Sequence, residues 1–162
     1  MKTKFLLLIC LVFPLALSAQ KVNLLTVNQL EQRLKSGKDT VYIINFWATW
    51  CAPCIEELPY FERFSTVKKQ EPVKVLLVSL DFKSKLESSV KPFVKKMNLQ
   101  NEVYLLNEKN QQTYIDRIDK NWSGAIPATL IINPKLKSRK LIEKELTYPE
   151  LLTLYQTNKS NE

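Results

Sequence analysis

Phe46-Trp47-Ala48-Thr49-Trp50-Cys51-Ala52-Pro53-Cys54 is the stretch on which the reading of this chain turns. Residues Val41–Trp47 are β-branched or aromatic except for Asn45, the pattern of a strand buried on both faces. Beyond the cysteines a helix is expected to run through Phe61 and Phe64 toward Lys69, with Pro59 inside it. A strand that hands over to a helix at Cys-x-x-Cys puts Cys51 at the helix N-terminus, where unpaired amides and the helix dipole favour negative charge. A thiol so placed has its pKa drawn below the free value of about 8.5, into the range of roughly 3.5 to 7.5, and the thiolate is the nucleophile. Cys54 lies one helical turn further on, close enough to bond to Cys51 and shielded enough to act as the resolving thiol. Pro53 suits the first turn, where a missing N–H costs nothing.

Outward from this centre the chain alternates strands and helices. Thr26 and Gln29 have capping-box spacing, Leu30 and Leu34 follow at helical intervals, and Gly37 ends that helix. Residues 73–80 form a second apolar run, interrupted only by Lys74 and Ser79, and thus a second buried strand. Residues 84–97 read as an amphipathic helix with Leu86, Val90, Phe93, Val94 and Met97 toward the core; Pro92 either kinks it or marks a late start. A short strand is expected at 103–106, a helix at 111–121, and a strong strand at 129–132 that turns at Asn133-Pro134. The antiparallel partner of that strand is expected at 141–146. Thr147, Pro149 and Glu150 then open a last helix by cap, first-turn proline and capping box. Such alternation implies an α/β fold with a largely parallel sheet.

With 162 residues and no repeat or linker, the chain fits one domain behind a short leader. Its composition, 45% hydrophobic and 25% charged, excludes a fibrous or wholly disordered chain. Lys2 and Lys4, an apolar run over residues 5–17, and small Ser18 and Ala19 read as a secretory signal over 1–19, leaving a domain over 20–162. The run of about 13 residues is short of the roughly 20 that span a bilayer, so no stable membrane insertion is expected after cleavage. Loss of the leader also removes Cys10, leaving Cys51 and Cys54 as the remaining cysteines, and takes the formal charge from +8 to +6. The scattered lysines read as a solvated surface, and no nucleic-acid partner is expected. The chain has no histidine, so a zinc site lacks ligands. A purely structural bridge between residues three apart closes too small a loop to stabilise much.

These residues resemble the thioredoxin superfamily, and more closely its exported TlpA/ResA-like thiol-disulfide oxidoreductases. Trp47, Ala48, Trp50, Cys51, Pro53 and Cys54 fall on the family's active-site motif, and Pro59 on its helix-kinking proline. Ile126-Pro127, followed by Ala128, Thr129 and Leu130, falls on its cis-proline loop. The resemblance implies a thioredoxin fold, a central mixed sheet flanked by helices, with the TlpA-like helix-strand insert over residues 84–121 before that loop. It implies a redox-active Cys51–Cys54 disulfide without other cofactor or metal, and disulfide-containing proteins as substrates. Trp50, Ala52, Pro53, Ile126 and Pro127 are then the expected substrate contacts. Glu57 matches an acidic residue that ResA-like proteins place near the disulfide; there it would accept the proton of Cys54. An exposed helix charge is the other reading of Glu57.

Asn45 stands where thioredoxin has a buried aspartate, so that proton route is absent. Trp47 reads as core packing; Tyr114 and Trp122 leave core and rim both open. Ala52-Pro53 is similar to the more reducing members. This implies a periplasmic reductase recharged by a membrane thiol-electron donor, with cytochrome c maturation as the setting of ResA-like relatives. A non-catalytic binding module or metal chaperone, a thiol peroxidase and an oxidising DsbA-like member are the rival readings.

Overall fold

The computed structural model describes residues 21–159. The leader expected over 1–19 lies outside them. The elements run β1 (Val22–Leu25), α1 (Val27–Ser36), β2 (Val41–Trp47), α2 (Ala52–Val67), β3 (Val73–Ser79), α3 (Lys91–Lys96), β4 (Glu102–Leu106), α4 (Gln111–Ile118), β5 (Ala128–Asn133), β6 (Ser138–Ile142) and α5 (Tyr148–Lys159). The strands form one six-stranded sheet in the order β1-β4-β3-β2-β5-β6. The first four are mutually parallel, and β5 and β6 are antiparallel to their neighbours. This is the mixed, helix-flanked sheet that the resemblance implied.

Alternate residues of each central strand serve opposite layers, as the two-residue period of a strand requires. Ile43, Val75, Leu77 and Ile131 pack under α2, α3 and α5. Tyr42, Ile44, Leu76 and Leu130 pack under α1 and α4. All seven residues of β2 are buried, so the strand that delivers the cysteines is enclosed on both faces. The capping box at Thr26 forms: its hydroxyl accepts from Gln29 N–H, and its own N–H donates to Gln29 Oε1 at 2.8 Å. At the head of α5 the N–H and hydroxyl of Thr147 donate to Glu150 Oε2 at 2.8 and 2.7 Å.

Several expectations need correction. The amphipathic helix over 84–97 is broken into a 3-10 turn (Lys83–Lys85), a π turn (Leu86–Val90) and α3. Pro92, in the first turn of α3, has no N–H for the carbonyl four residues back, so regular hydrogen bonding starts only here. The expected inward side chains nevertheless hold, with Val90 and Val94 buried and Leu86, Phe93 and Met97 packed against the same core. The partner of β5 lies at Ser138–Ile142 rather than 141–146. The turn after Asn133-Pro134, with Lys137 at φ 52°, sets the register from Asn133↔Ser138 to Thr129↔Ile142. Leu146, which drew the expectation onward, is buried in the core beneath α2 instead of in the ladder. The helix expected over 111–121 stops at Ile118, where Trp122 N–H donates to Asp119 O in a turn. Strand β1 was not foreseen. Its parallel pairing with β4, Val22↔Val103 to Leu25↔Leu106, makes it a strand, and nothing local does.

Candidate active site

The carboxyl end of β2 gives way to a turn closed by Cys51 N–H donating to Ala48 O at 3.1 Å. Cys51 is the N-cap of α2, with φ −95° and ψ 98°, and its carbonyl accepts from Ile55 N–H at 3.1 Å. Pro53 sits in the first turn as expected. Cys51 and Cys54 are joined in a disulfide with Cα atoms 5.3 Å apart. Cys51 is 6% exposed and Cys54 0%, so of the two sulfurs only the first has any outlet. Trp50, 69% exposed, and Ala52 and Pro53, also exposed, surround that outlet. Trp47 is fully buried, its ring 5.2 Å from that of Phe93, which is the core role expected of it.

The Ile126–Pro127 peptide is cis, as the resemblance implied. Register Phe46↔Ala128 brings the start of β5, and so Pro127, beside the end of β2 from which the cysteine turn emerges. Trp122 fixes this loop from beneath: it is buried against Phe46 with ring centroids 4.7 Å apart, and its Nε1–H donates to Ala125 O at 2.9 Å. Gly124 takes φ 89°, and a Cβ there would meet Ile115 Cδ1 at 2.6 Å, so the loop needs glycine at this point. Ser123 is tied to Glu143 through its hydroxyl. Trp122 is therefore core. Tyr114 is half-buried and lines a cleft of about 350 Å³ with Trp50, Phe82 and Ile126.

Glu57 is not the exposed helix charge of the alternative reading. It is 0% exposed, one turn along α2 from Cys54. Its Oε1 accepts from Asn45 Nδ2–H at 2.6 Å and its Oε2 from Leu146 N–H at 2.8 Å. Burial disfavours the carboxylate and pushes the pKa from 4.5 up to about 7, the two hydrogen bonds holding it back and Glu145 adding to the rise. A buried carboxyl that exchanges its proton near neutrality, on the face of the helix that carries a buried thiol, is chemically suited to proton transfer.

Residues 16–140 match the AhpC/TSA family. The chain belongs to that family. Among curated relatives of this AhpC/TSA protein, the thiol-disulfide oxidoreductase ResA of Oceanobacillus iheyensis is 30% identical over 125 residues, 77% of this chain and 60% of the relative. ResA of Bacillus cereus is 32% identical over 111 residues, 68% of this chain and 57% of the relative. The AhpC/TSA chain thus spans about 60% of the length of these relatives. Among solved structures, a thioredoxin-related protein of Neisseria meningitidis serogroup B superposes with TM-score 0.62 at 25% identity, covering 72% of this chain and 82% of that one. StoA of Bacillus subtilis superposes with TM-score 0.54 at 24% identity, covering 70% and 81%. The latter is a likeness of fold.

Two features of this AhpC/TSA site escaped the sequence. Asp81, 4% exposed just beyond β3, accepts from Thr49 N–H at 2.9 Å, from the Thr49 hydroxyl at 2.6 Å and from the Ser79 hydroxyl at 2.8 Å. It anchors the cysteine turn to the neighbouring strand. Its position past the carboxyl end of a parallel strand, where α/β sheets build their sites, was the available signal. The second is the enclosure of Glu57 by Asn45, Thr129 and the Leu146 N–H, residues 12 to 89 positions away in sequence or linked to one that is. No local pattern announces it.

Proposed function

We propose that this protein is an exported thiol-disulfide oxidoreductase that reduces disulfides in partner proteins through Cys51 and Cys54. The observation that carries the reading is the asymmetry of the pair: a marginally exposed sulfur at the N-cap of α2 bonded to a fully buried one. The names of the ResA relatives support the same chemistry. In the reduced protein the Cys51 thiolate attacks one sulfur of a partner disulfide, forming a mixed disulfide and releasing the partner's other sulfur as thiolate. Cys54 gives its proton to ionised Glu57 and attacks Cys51 Sγ. The Cys51–partner bond breaks, the partner leaves with both sulfurs reduced, and the two electrons lost by the dithiol have passed to it. Trp50, Ala52 and Pro53 surround the point of attack, and Ile126 and Pro127 offer the adjoining loop as the partner's resting edge.

The resulting Cys51–Cys54 disulfide returns to the dithiol by exchange with a donor dithiol, which is oxidised in its place and which for a periplasmic protein means a membrane thiol-electron carrier. The leader features at Lys2, Lys4 and residues 5–17 support export. Apocytochrome c is the substrate class carried over from ResA-like relatives. The chain has no histidine to stabilise the Cys51 thiolate, and Ala52-Pro53 resembles reducing members, so electrons run outward to the partner.

Equilibration with glutathione, read by the fluorescence of Trp47 and Trp50, tests the direction. A potential below about −200 mV is expected, and one above about −150 mV, in the range of strong oxidants, overturns the reductase reading. Peroxide consumption or stoichiometric copper(I) binding by the reduced protein, without insulin reduction, would instead favour the peroxidase or chaperone.

A further inference from the structure

Asn45, in the middle of β2, and Thr129, opposite it in register on β5, are both fully buried and take no part in the exchange just described. They nonetheless form one wall of the Glu57 carboxyl. Asn45 Nδ2–H donates to Glu57 Oε1 at 2.6 Å and to Thr129 Oγ1 at 3.3 Å. Asn45 Oδ1 is buried without a hydrogen-bond partner among the described residues. An orphaned amide oxygen in a core costs free energy and calls for a donor. The other end of the amide, Nδ2, faces Glu57 Oε1, a group that becomes a donor on protonation: a carboxylate only accepts, whereas a carboxylic acid carries one O–H. The other oxygen of Glu57, Oε2, takes the Leu146 N–H and accepts in either state, so Oε1 is where the proton goes.

The oxygen and nitrogen of an asparagine amide are nearly equal in size, and a half-turn about the last side-chain bond exchanges them. Thr129 can follow, because a hydroxyl both donates and accepts. We propose that Asn45 is a two-way positioning residue for Glu57, its amide donating to the carboxylate and, turned over, accepting from the carboxylic acid, with the Thr129 hydroxyl following the turn. The carboxyl then stays in one place while its proton comes and goes. The inference rests on the reading that Glu57 handles the proton of Cys54.

The surroundings of Glu57 leave this role to Asn45. From the loop before α5, Glu145 acts on it with a negative field that opposes ionisation. Along α2 the nearby sulfur is Cys54, held here in the disulfide. From β2 and β5 come neutral Asn45 and Thr129. The donation from Asn45, with that from Leu146 N–H, is what keeps burial from raising the carboxyl further.

Nuclear magnetic resonance of the full domain tests the proposal, with carbon-13 in the glutamate carboxyls and nitrogen-15 in the asparagine amides. In the wild-type protein the Glu57 carboxyl carbon is expected to titrate near pH 7, and the Asn45 side-chain amide signals to move with the same midpoint. In Asn45→Leu the Glu57 midpoint is expected to rise by about one to two units, the worth of a hydrogen bond to a charged group. Asn45 amide signals that stay fixed through the Glu57 titration overturn the proposal in the wild-type protein alone, whether or not the variant folds. An unchanged Glu57 midpoint in a folded Asn45→Leu protein overturns it as well. The rate of mixed-disulfide resolution separates the two readings. If Glu57→Gln leaves its pH profile intact while both resonance results hold, the role of Glu57 in catalysis falls and the positioning by Asn45 stands.

Discussion

Cys51→Ser is expected to abolish catalysed reduction of insulin disulfides, a loss of roughly 10³-fold or more, while Cys54→Ser accumulates partner proteins bound covalently to Cys51. The asymmetry follows from position. Cys51 caps α2, where free backbone amides and the helix dipole favour its thiolate, and it retains an outlet to solvent. Cys54 has no exposed surface and lies inside the cluster of Trp47, Leu58 and Phe61, so a partner disulfide has no path to it. Removal of Cys51 therefore leaves a sulfur that does not meet substrate. Removal of Cys54 leaves a mixed disulfide with nothing to resolve it. Non-reducing electrophoresis separates the two outcomes. Partners trapped on Cys54 of the Cys51→Ser protein would reverse the assignment.

The second large effect is expected at Glu57. Glu57→Gln is predicted to slow resolution of the mixed disulfide by about 10²-fold at pH 8 and to erase the rise in that rate through pH 7. The wild-type rate should climb through that region because the carboxylate, the proton acceptor, is the form populated above the raised pKa. The same burial has a cost in stability with a definite sign. Between 4.5 and about 7 the folded protein keeps a proton on Glu57 that the unfolded chain has already released. Stability is thus lost as pH rises through this window and levels off above it, by an amount on the order of 3 kcal/mol. Thermal unfolding of wild type and Glu57→Gln at pH 4.5 and 8 checks this: the variant should gain on the wild type as pH rises. Parallel curves would place the Glu57 titration outside the window.

What could be read from the chain alone has a physical boundary. The buried strands β2 and β3 announce themselves by mainly apolar, β-branched runs, and α1 and α5 by their capping boxes, because those signals are local. The cysteine turn was legible for the same reason: nine consecutive residues carry the strand end, the cysteine at the head of the helix, the first-turn proline and the second cysteine one turn on. Of the edge strands, β1 was not legible, and β6 was expected as the antiparallel partner of β5 but a few residues too late. β1 is four residues without a period, and β6 opens with Ser138, Arg139 and Lys140, so both owe their state to the ladders they join. The helical insert kept its expected inward face, and its α-helical part starts late, with Pro92 in the first turn, one of the two outcomes expected of that proline. Asn45 shows the limit most sharply. In sequence it is a polar interruption that forfeits a proton acceptor. In the fold it grips a buried carboxyl, because α2 lays Glu57 against β2 and the loop ahead of α5 delivers the Leu146 N–H from 89 residues away.

The proposed disulfide exchange depends above all on the ionisation of Cys51 at the head of α2, and the pH dependence of its alkylation in the reduced protein measures that directly. Iodoacetamide should label Cys51 ahead of Cys54, with a midpoint at least about one unit below the 8.5 of a free thiol. A midpoint at or above 8.5 would contradict the account.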